Sequence, residues 1–260
     1  MRAGLKSNNV SAFFRTGVRA VSRVGFARRV APVVWLALFA ASAQGARAQS
    51  SIFNAPSTDV IPAHELYVEA DYIAHAASYR KGGFQFFGPS VIYGVRKNFE
   101  VGVNAYFTKS AEPTAAELQL DAKWQFFSDE SRGLAAAAGG VLFVPLTRRA
   151  EAHTNAMLYA TVSKQLKARL GPRFTTGAYR FVGRVGEGET RGGLLLGYEQ
   201  PVSRRFTFLA DWYSGNNSEG YASAALSFAL SNRGALTVGY GFGNRGRGNN
   251  WLGVFYERTF

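Results

Sequence analysis

The chain has 260 residues, no cysteine and a formal charge of +13. Without cysteines there are no disulfide staples, so stability has to come from a large hydrogen-bonded framework or core. The basic balance invites a nucleic-acid partner, but eight basic residues and no acid precede Gln49 and the remainder carries only +5, which removes most of that support.

Residues 1–30 hold Arg2, Lys6, Arg15, Arg19, Arg23, Arg28 and Arg29 without an acid. The apolar run APVVWLALFAASA follows at 31–43, and then Ala46-Arg47-Ala48. A basic region, a short apolar core and an A-x-A site predict a secretory signal peptide over 1–48, cleaved after Ala48. The core is shorter than the roughly 20 apolar residues of a membrane-spanning helix. Arg28-Arg29 hints at twin-arginine export, but Val30-Ala31-Pro32 does not continue that motif. No run of about 18 apolar residues follows, which excludes helical spans further on.

From Gln49 onward the hydrophobic pattern has period two, and no stretch shows a convincing period of 3.6. The cleanest segment is ELQLDAKWQF at 117–126. There Leu118, Leu120, Ala122, Trp124 and Phe126 alternate with Glu117, Gln119, Asp121, Lys123 and Gln125, and no helix separates those two sets. In chain order the expected strands are 66–72, 84–95, 99–107, 117–126, 133–144, 154–165, 173–182, 191–200, 206–212, 220–230, 235–242 and the terminal stretch NNWLGVFYERTF. That makes twelve. Short polar turns lie at Lys97-Asn98, 128–132, 167–171, 202–205 and 231–233. The alternate connections are somewhat longer and richer in Gly, Arg and Ser, so the chain reads as consecutive hairpins.

A tilted strand of about 9 to 11 residues crosses the hydrocarbon layer, and only a closed sheet leaves no backbone group unpaired there. An even strand number, with tight turns at one end and longer loops at the other, predicts an all-β, antiparallel, up-and-down transmembrane barrel over 64–260. Phe99, Trp124, Phe126, Phe206 and Phe260 fall near the tight-turn ends, and Tyr72, Phe107, Trp212, Tyr240 and Phe242 near the loop ends, as two interfacial girdles require. A soluble β-sandwich is the competing fold, because its strands also alternate. The stretch 49–63, rich in Ser and Pro, is expected as a periplasmic N-terminal segment, with a plug in the lumen as its other placement.

The terminal strand resembles the C-terminal signature of bacterial outer-membrane β-barrel proteins, through Leu252, Val254, Tyr256 and Phe260. The resemblance implies that the barrel-assembly machinery reads these residues. Arg258 departs from the pattern, at a place usually apolar. A second resemblance rests on ADWYSGNNSEGY, residues 210–221, which is similar to outer-membrane transporters of the phenol-degradation MetA-pathway type. It implies uptake of small molecules, with Asp211 and Tyr213 facing the lumen.

With the apolar set assigned to lipid, the polar set faces inward, and the expected pore-lining residues are Glu69, Asp71, Glu100, Glu117, Asp121, Lys123, Asp211 and Glu257. Charges there need water or partners. Lys123 lies beside Asp121 and Glu117 at strand spacing, and Arg180, if inward, would be a second cation. Such a lining describes either a hydrated, mildly acidic passage or a self-satisfied interior that does not conduct.

Other constellations carry less. Gly241-Phe-Gly243-Asn-Arg-Gly246 matches G-x-G-x-x-G but leads into a strand, so it binds no dinucleotide. His64, His75 and His153 are not spaced as metal ligands. His153 and Asn155 share a face, yet no serine is placed beside them for a lipase site. Asn216-Asn217-Ser218 fits a glycosylation acceptor and is read as loop chemistry. Basic residues mark both rims, including Arg148, Arg149, Arg184, Arg245 and Arg247 in the longer loops, where they would bind lipopolysaccharide phosphates or attract anionic solutes. The expectation is therefore an outer-membrane channel or passive transporter for small solutes, with no catalytic residue, cofactor or metal. Its rival is a non-conducting structural or adhesive barrel.

Overall fold

The computed structural model describes residues 50–147 and 152–260. Twelve strands follow one another: β1 (Leu66–His75), β2 (Phe84–Arg96), β3 (Phe99–Lys109), β4 (Ala115–Asp129), β5 (Leu134–Pro145), β6 (Asn155–Gln165), β7 (Arg173–Gly183), β8 (Gly192–Pro201), β9 (Phe206–Tyr213), β10 (Tyr221–Ser231), β11 (Gly234–Gly243) and β12 (Trp251–Thr259). Each pairs antiparallel with its sequence neighbours, and β1 pairs with β12, so the sheet closes on itself. The fold is an up-and-down barrel, and the sandwich is excluded. The leader over 1–48, together with Gln49, Arg148 and Arg149, lies outside the described residues.

Closure follows from the seam. Phe260 donates its N–H to Leu66 O at 2.8 Å, and Leu66 N–H returns to Phe260 O at 3.3 Å. Ladder register then continues through Tyr67↔Thr259 to Ala74↔Leu252. With no edge strand left, the backbone polar groups are satisfied within the sheet, which is what lipid demands. Register shifts interrupt three pairings, at Gly94/Arg96, Gln125/Phe127 and Ala229/Ser231. All three lie close to tight turns, where bulges bend a strand into its neighbour at a barrel rim.

The alternation sorts side chains as expected. Leu158, Val162, Leu194, Leu226 and Phe242 are each about half exposed on the outside, and a soluble monomer does not present an apolar belt of that extent. Aromatic pairs ring its two edges. Near the tight turns Trp124 meets Phe126 at 5.7 Å and Phe206 meets Phe228 at 4.9 Å, and near the loops Tyr240 meets Phe242 at 4.8 Å between ring centroids. On β12, Leu252, Tyr256, Arg258 and Phe260 are exposed while Trp251, Phe255 and Glu257 are buried inward. The Arg258 guanidinium sits 5.0 Å from the centroid of the Phe260 ring, so the residue that departs from the terminal pattern covers an aromatic face.

Two residues that the sequence left less defined are now placed. Arg180 is exposed on the outward face of β7, because Tyr179 and Phe181 take the inward positions on either side of it. Asn217 lies in the β9–β10 loop and is buried there, and its amide donates to Tyr179 Oη at 2.7 Å and to Thr190 O at 3.1 Å.

Candidate functional site

The interior is organised by the segment ahead of β1, for which the sequence offered a periplasmic placement or one in the lumen. Residues 50–57 form a narrow turn in the lumen, closed by a bridge between Ser51 and Pro56 and by Ile52 N–H to Ala55 O at 2.7 Å. Ile52, Phe53, Ala55, Ser57, Thr58 and Ile61 are all buried. Phe53 stacks on Phe255 at 4.7 Å and lies 5.5 Å from Trp251, in a cluster completed by Ile52, Leu209 and Ala225. Ala55 packs into a second cluster with Phe143, Met157, Phe181, Leu195 and Tyr213.

Two inward glycines make the room. A Cβ on Gly197 would stand 2.1 Å from Ile52 Cδ1, and one on Gly239 would stand 2.6 Å from Phe53 Cζ. A larger residue would press on the segment at either place, at Gly197 against the end of the Ile52 side chain and at Gly239 against the Phe53 ring.

Polar anchors fix the turn at three heights. At its tip, Phe53, Asn54 and Ala55 all donate their backbone N–H groups to Asp211 Oδ2, at 3.1, 2.6 and 2.8 Å. Successive amides around one carboxylate form an anion-binding concavity, here turned toward a side chain of the barrel's own wall. At its base, Ser50 Oγ donates to Glu100 Oε1 at 2.5 Å, Ile61 N–H donates to Glu100 Oε2 at 2.5 Å, and Lys123 Nζ donates to Ser50 O at 2.6 Å. Lys123 and Glu100 themselves are 3.0 Å apart and almost wholly buried. Nearer the tight turns, Arg173 bridges Asp59 of the segment and Glu199 of β8, and Gln125 donates to Thr58 O at 2.8 Å.

The segment stands between two cavities. The larger, about 860 Å³, opens toward the long loops and is walled by Ser50, Phe53 and Asn54 of the segment together with β1, β3 and β4. The smaller, about 290 Å³, lies toward the tight turns and includes Asp59, Arg173, Glu199 and Glu257. Tyr67 borders both, and its hydroxyl lies between Glu69 and Glu257, reaching Glu257 Oε2 at 2.7 Å.

The eight expected pore-lining residues all point inward, yet they divide. Glu69, Asp71, Glu100, Glu117 and Asp121 wall the larger cavity and Glu257 the smaller. Lys123 and Asp211 border neither cavity, because the segment covers them. Lys123 pairs with Glu100 from the neighbouring strand, in register with it, while Asp121 accepts from Asn104 Nδ2 at 3.0 Å. Among the described residues, Glu69, Asp71, Glu117, Asp121 and Glu219 have no ion-pair partner. Glu219 lies in the β9–β10 loop at the cavity mouth; burial, and then the nearby charge of Glu117, raise its pKa to about 7.

Of the histidines, His153 Nε2 faces the guanidinium of Arg184 at 3.1 Å, His75 meets Asn250 O and His64 meets Tyr93 Oη. No serine is hydrogen-bonded to them among the described residues.

No family model matches the chain, and no curated protein matches it. Solved structures do. The KdgM porin superposes with a TM-score of 0.55 at 8% identity, covering 75% of this chain and 99% of its own. The same porin in complex with disordered oligogalacturonate gives a TM-score of 0.52 at 10% identity, with coverages of 75% and 99%. Outer membrane phospholipase A from Escherichia coli covers 77% of this chain and 90% of its own, with a TM-score of 0.44 at 13% identity. At such identities what is shared is the fold: this chain adopts the architecture of outer-membrane β-barrels.

Proposed function

We propose that the protein is an outer-membrane channel, or passive transporter, for small solutes, exported through the leader over 1–48. The observation that carries this reading is the interior cavity of about 860 Å³ with polar walls and a mouth toward the loops. Its size falls in the range of sites that enclose a small ligand, about 300–1,000 Å³. A barrel filled by its own side chains would keep no such space. The fold shared with a porin supports the reading, as does that porin's complex with oligogalacturonate. Catalysis, a cofactor and a metal form no part of it. In the same proposal Leu252, Val254, Tyr256 and Phe260 act as the assembly signal, outer-membrane lipid covers the apolar belt, and lipopolysaccharide meets the basic loops. A MetA-pathway type of uptake belongs here too, as one form of small-solute transport.

One observation favours the rival, a non-conducting structural or adhesive barrel: the segment 50–62 lies between the two cavities. Planar-bilayer recording on protein purified from membranes decides. Discrete ion-conducting steps support the channel. A correctly inserted barrel that stays silent, both intact and with 50–62 removed, supports the rival.

A further inference from the structure

We propose that the larger cavity is a binding site for a small organic cation, one that carries an ammonium or amidinium group on an apolar or aromatic body. The inference rests on the reading of the barrel as a solute passage and names the class of solute.

The cavity has two kinds of wall. Asp71 and Glu69 on β1 are linked through β2 to β3 by the pairings Glu69↔Ser90 and Ser90↔Asn104, and β3 is in register with Glu117 and Asp121 of β4 through Tyr106↔Glu117 and Gly102↔Asp121. Aromatic residues share that space: β12, the strand paired with β1, contributes Trp251 and Phe255, with Phe255 opposite Asp71 in the ladder, and β9 contributes Tyr213. Carboxylates with ring faces beside them suit a cation with an apolar body, through charge-assisted hydrogen bonds and contact of the cation with aromatic faces.

A row of acids would not make a site by itself. The specific sign is Asp71, which is only 6% exposed: its carboxyl group shares a hydrogen bond with that of Glu69, and its Oδ1 is left without a partner. A buried carboxylate oxygen left without a donor is costly, and a cation's N–H groups arriving from the cavity would supply the donor that the barrel does not. Lys123 is committed to Glu100 and Arg173 to Asp59 and Glu199, and among the described lining residues Arg184, beside His153, is the one Lys or Arg against seven acids. That balance selects against anions, including uronate oligomers of the kind seen with the porin of similar fold.

The test uses benzylammonium and benzoate, which share a ring and differ in the sign of charge. Protein purified in detergent should bind benzylammonium, read by calorimetry and by Trp251 fluorescence, at least about tenfold more tightly than benzoate. Asp71→Asn should weaken that binding about tenfold, and Asp121→Asn, a second variant with its own hydrogen-bond partner, should weaken it less. Heat-modifiable gel mobility checks that each variant is folded. In bilayers, benzylammonium on the loop side should interrupt the current and benzoate should not. Binding without conductance would keep the site and overturn the channel reading. Conductance with equal affinity for the two ligands, or an Asp71→Asn variant that binds as the parent does, would overturn the site. An Asp71→Asn variant that does not fold shifts the decision to Asp121→Asn, where unchanged binding overturns it too.

Discussion

Phe53 lies stacked on Phe255, with ring centroids 4.7 Å apart, so a residue from ahead of the first strand is packed against the last one. This contact holds the inner turn against the barrel wall. Burying a phenyl ring contributes on the order of 1.5–3 kcal/mol, which is about ten- to a hundredfold in the balance between a docked and an undocked segment. Phe53→Ser should therefore raise the fraction of time spent in a larger-conductance state by about that factor, and removal of 50–62 should make that state permanent. Single-channel recordings that show identical step sizes and dwell times in all three proteins would remove the segment from any role in passage.

Asp211 holds the tip of that turn through three backbone amides. Replacing it by asparagine keeps the shape and removes the charge, and charge-assisted hydrogen bonds are roughly twice as strong as neutral ones. The expected result is faster hydrogen exchange at the amides of Phe53, Asn54 and Ala55, by about tenfold, with the strand amides of β9 unchanged. Equal protection of those three amides in both proteins would mean that the carboxylate does not hold the turn.

Lys123 and Glu100 form a pair with side-chain exposures of 2% and 1%. Removing one partner strands the other charge, which costs about 3–5 kcal/mol, whereas replacing both is close to neutral. Lys123→Met should thus lower the urea midpoint of the lipid-inserted barrel sharply. The double variant Glu100→Gln with Lys123→Met should recover most of the loss. A double variant as unstable as the single one would show that packing of the lysine chain, not charge pairing, supports this level of the barrel.

The barrel was legible because alternation is a local property: Leu118 to Phe126 against Glu117 to Gln125 is visible in ten consecutive residues and needs no knowledge of neighbours. The lumen was legible only in its sign. Which inward groups meet depends on register between strands, and that is why Lys123 went to Glu100 of β3 and not to Asp121 two residues away. The face of Arg180 stayed open for a related reason, since an isolated arginine does not reveal its face; Tyr179 and Phe181 beside it are apolar yet inward. The plug left a faint trace in Ile52, Phe53 and Ile61 within an otherwise polar stretch, and in the inward glycines Gly197 and Gly239. Those signals become meaningful only once the segment and the wall are brought together.

Glu219 gives the interior a titration near neutrality. It lies outside the strands, at the mouth of the larger cavity. Burial raises its pKa from the usual carboxylate range to about 7, with the charge of Glu117 adding to the effect. The folded protein therefore keeps the Glu219 proton between about pH 4.5 and 7, where an unfolded chain has released it. This contribution to stability is full below about pH 4.5, declines as pH rises from there, and is lost by about pH 7. The charge at the mouth changes in the opposite sense, from neutral at pH 5 to negative at pH 8. Cation preference, read as the reversal potential under a salt gradient, should accordingly grow between pH 6 and 8. Glu219→Gln should flatten that rise while leaving the preference at pH 5 unchanged. A variant whose selectivity still climbs with pH as the parent's does would place the titrating group elsewhere in the lumen.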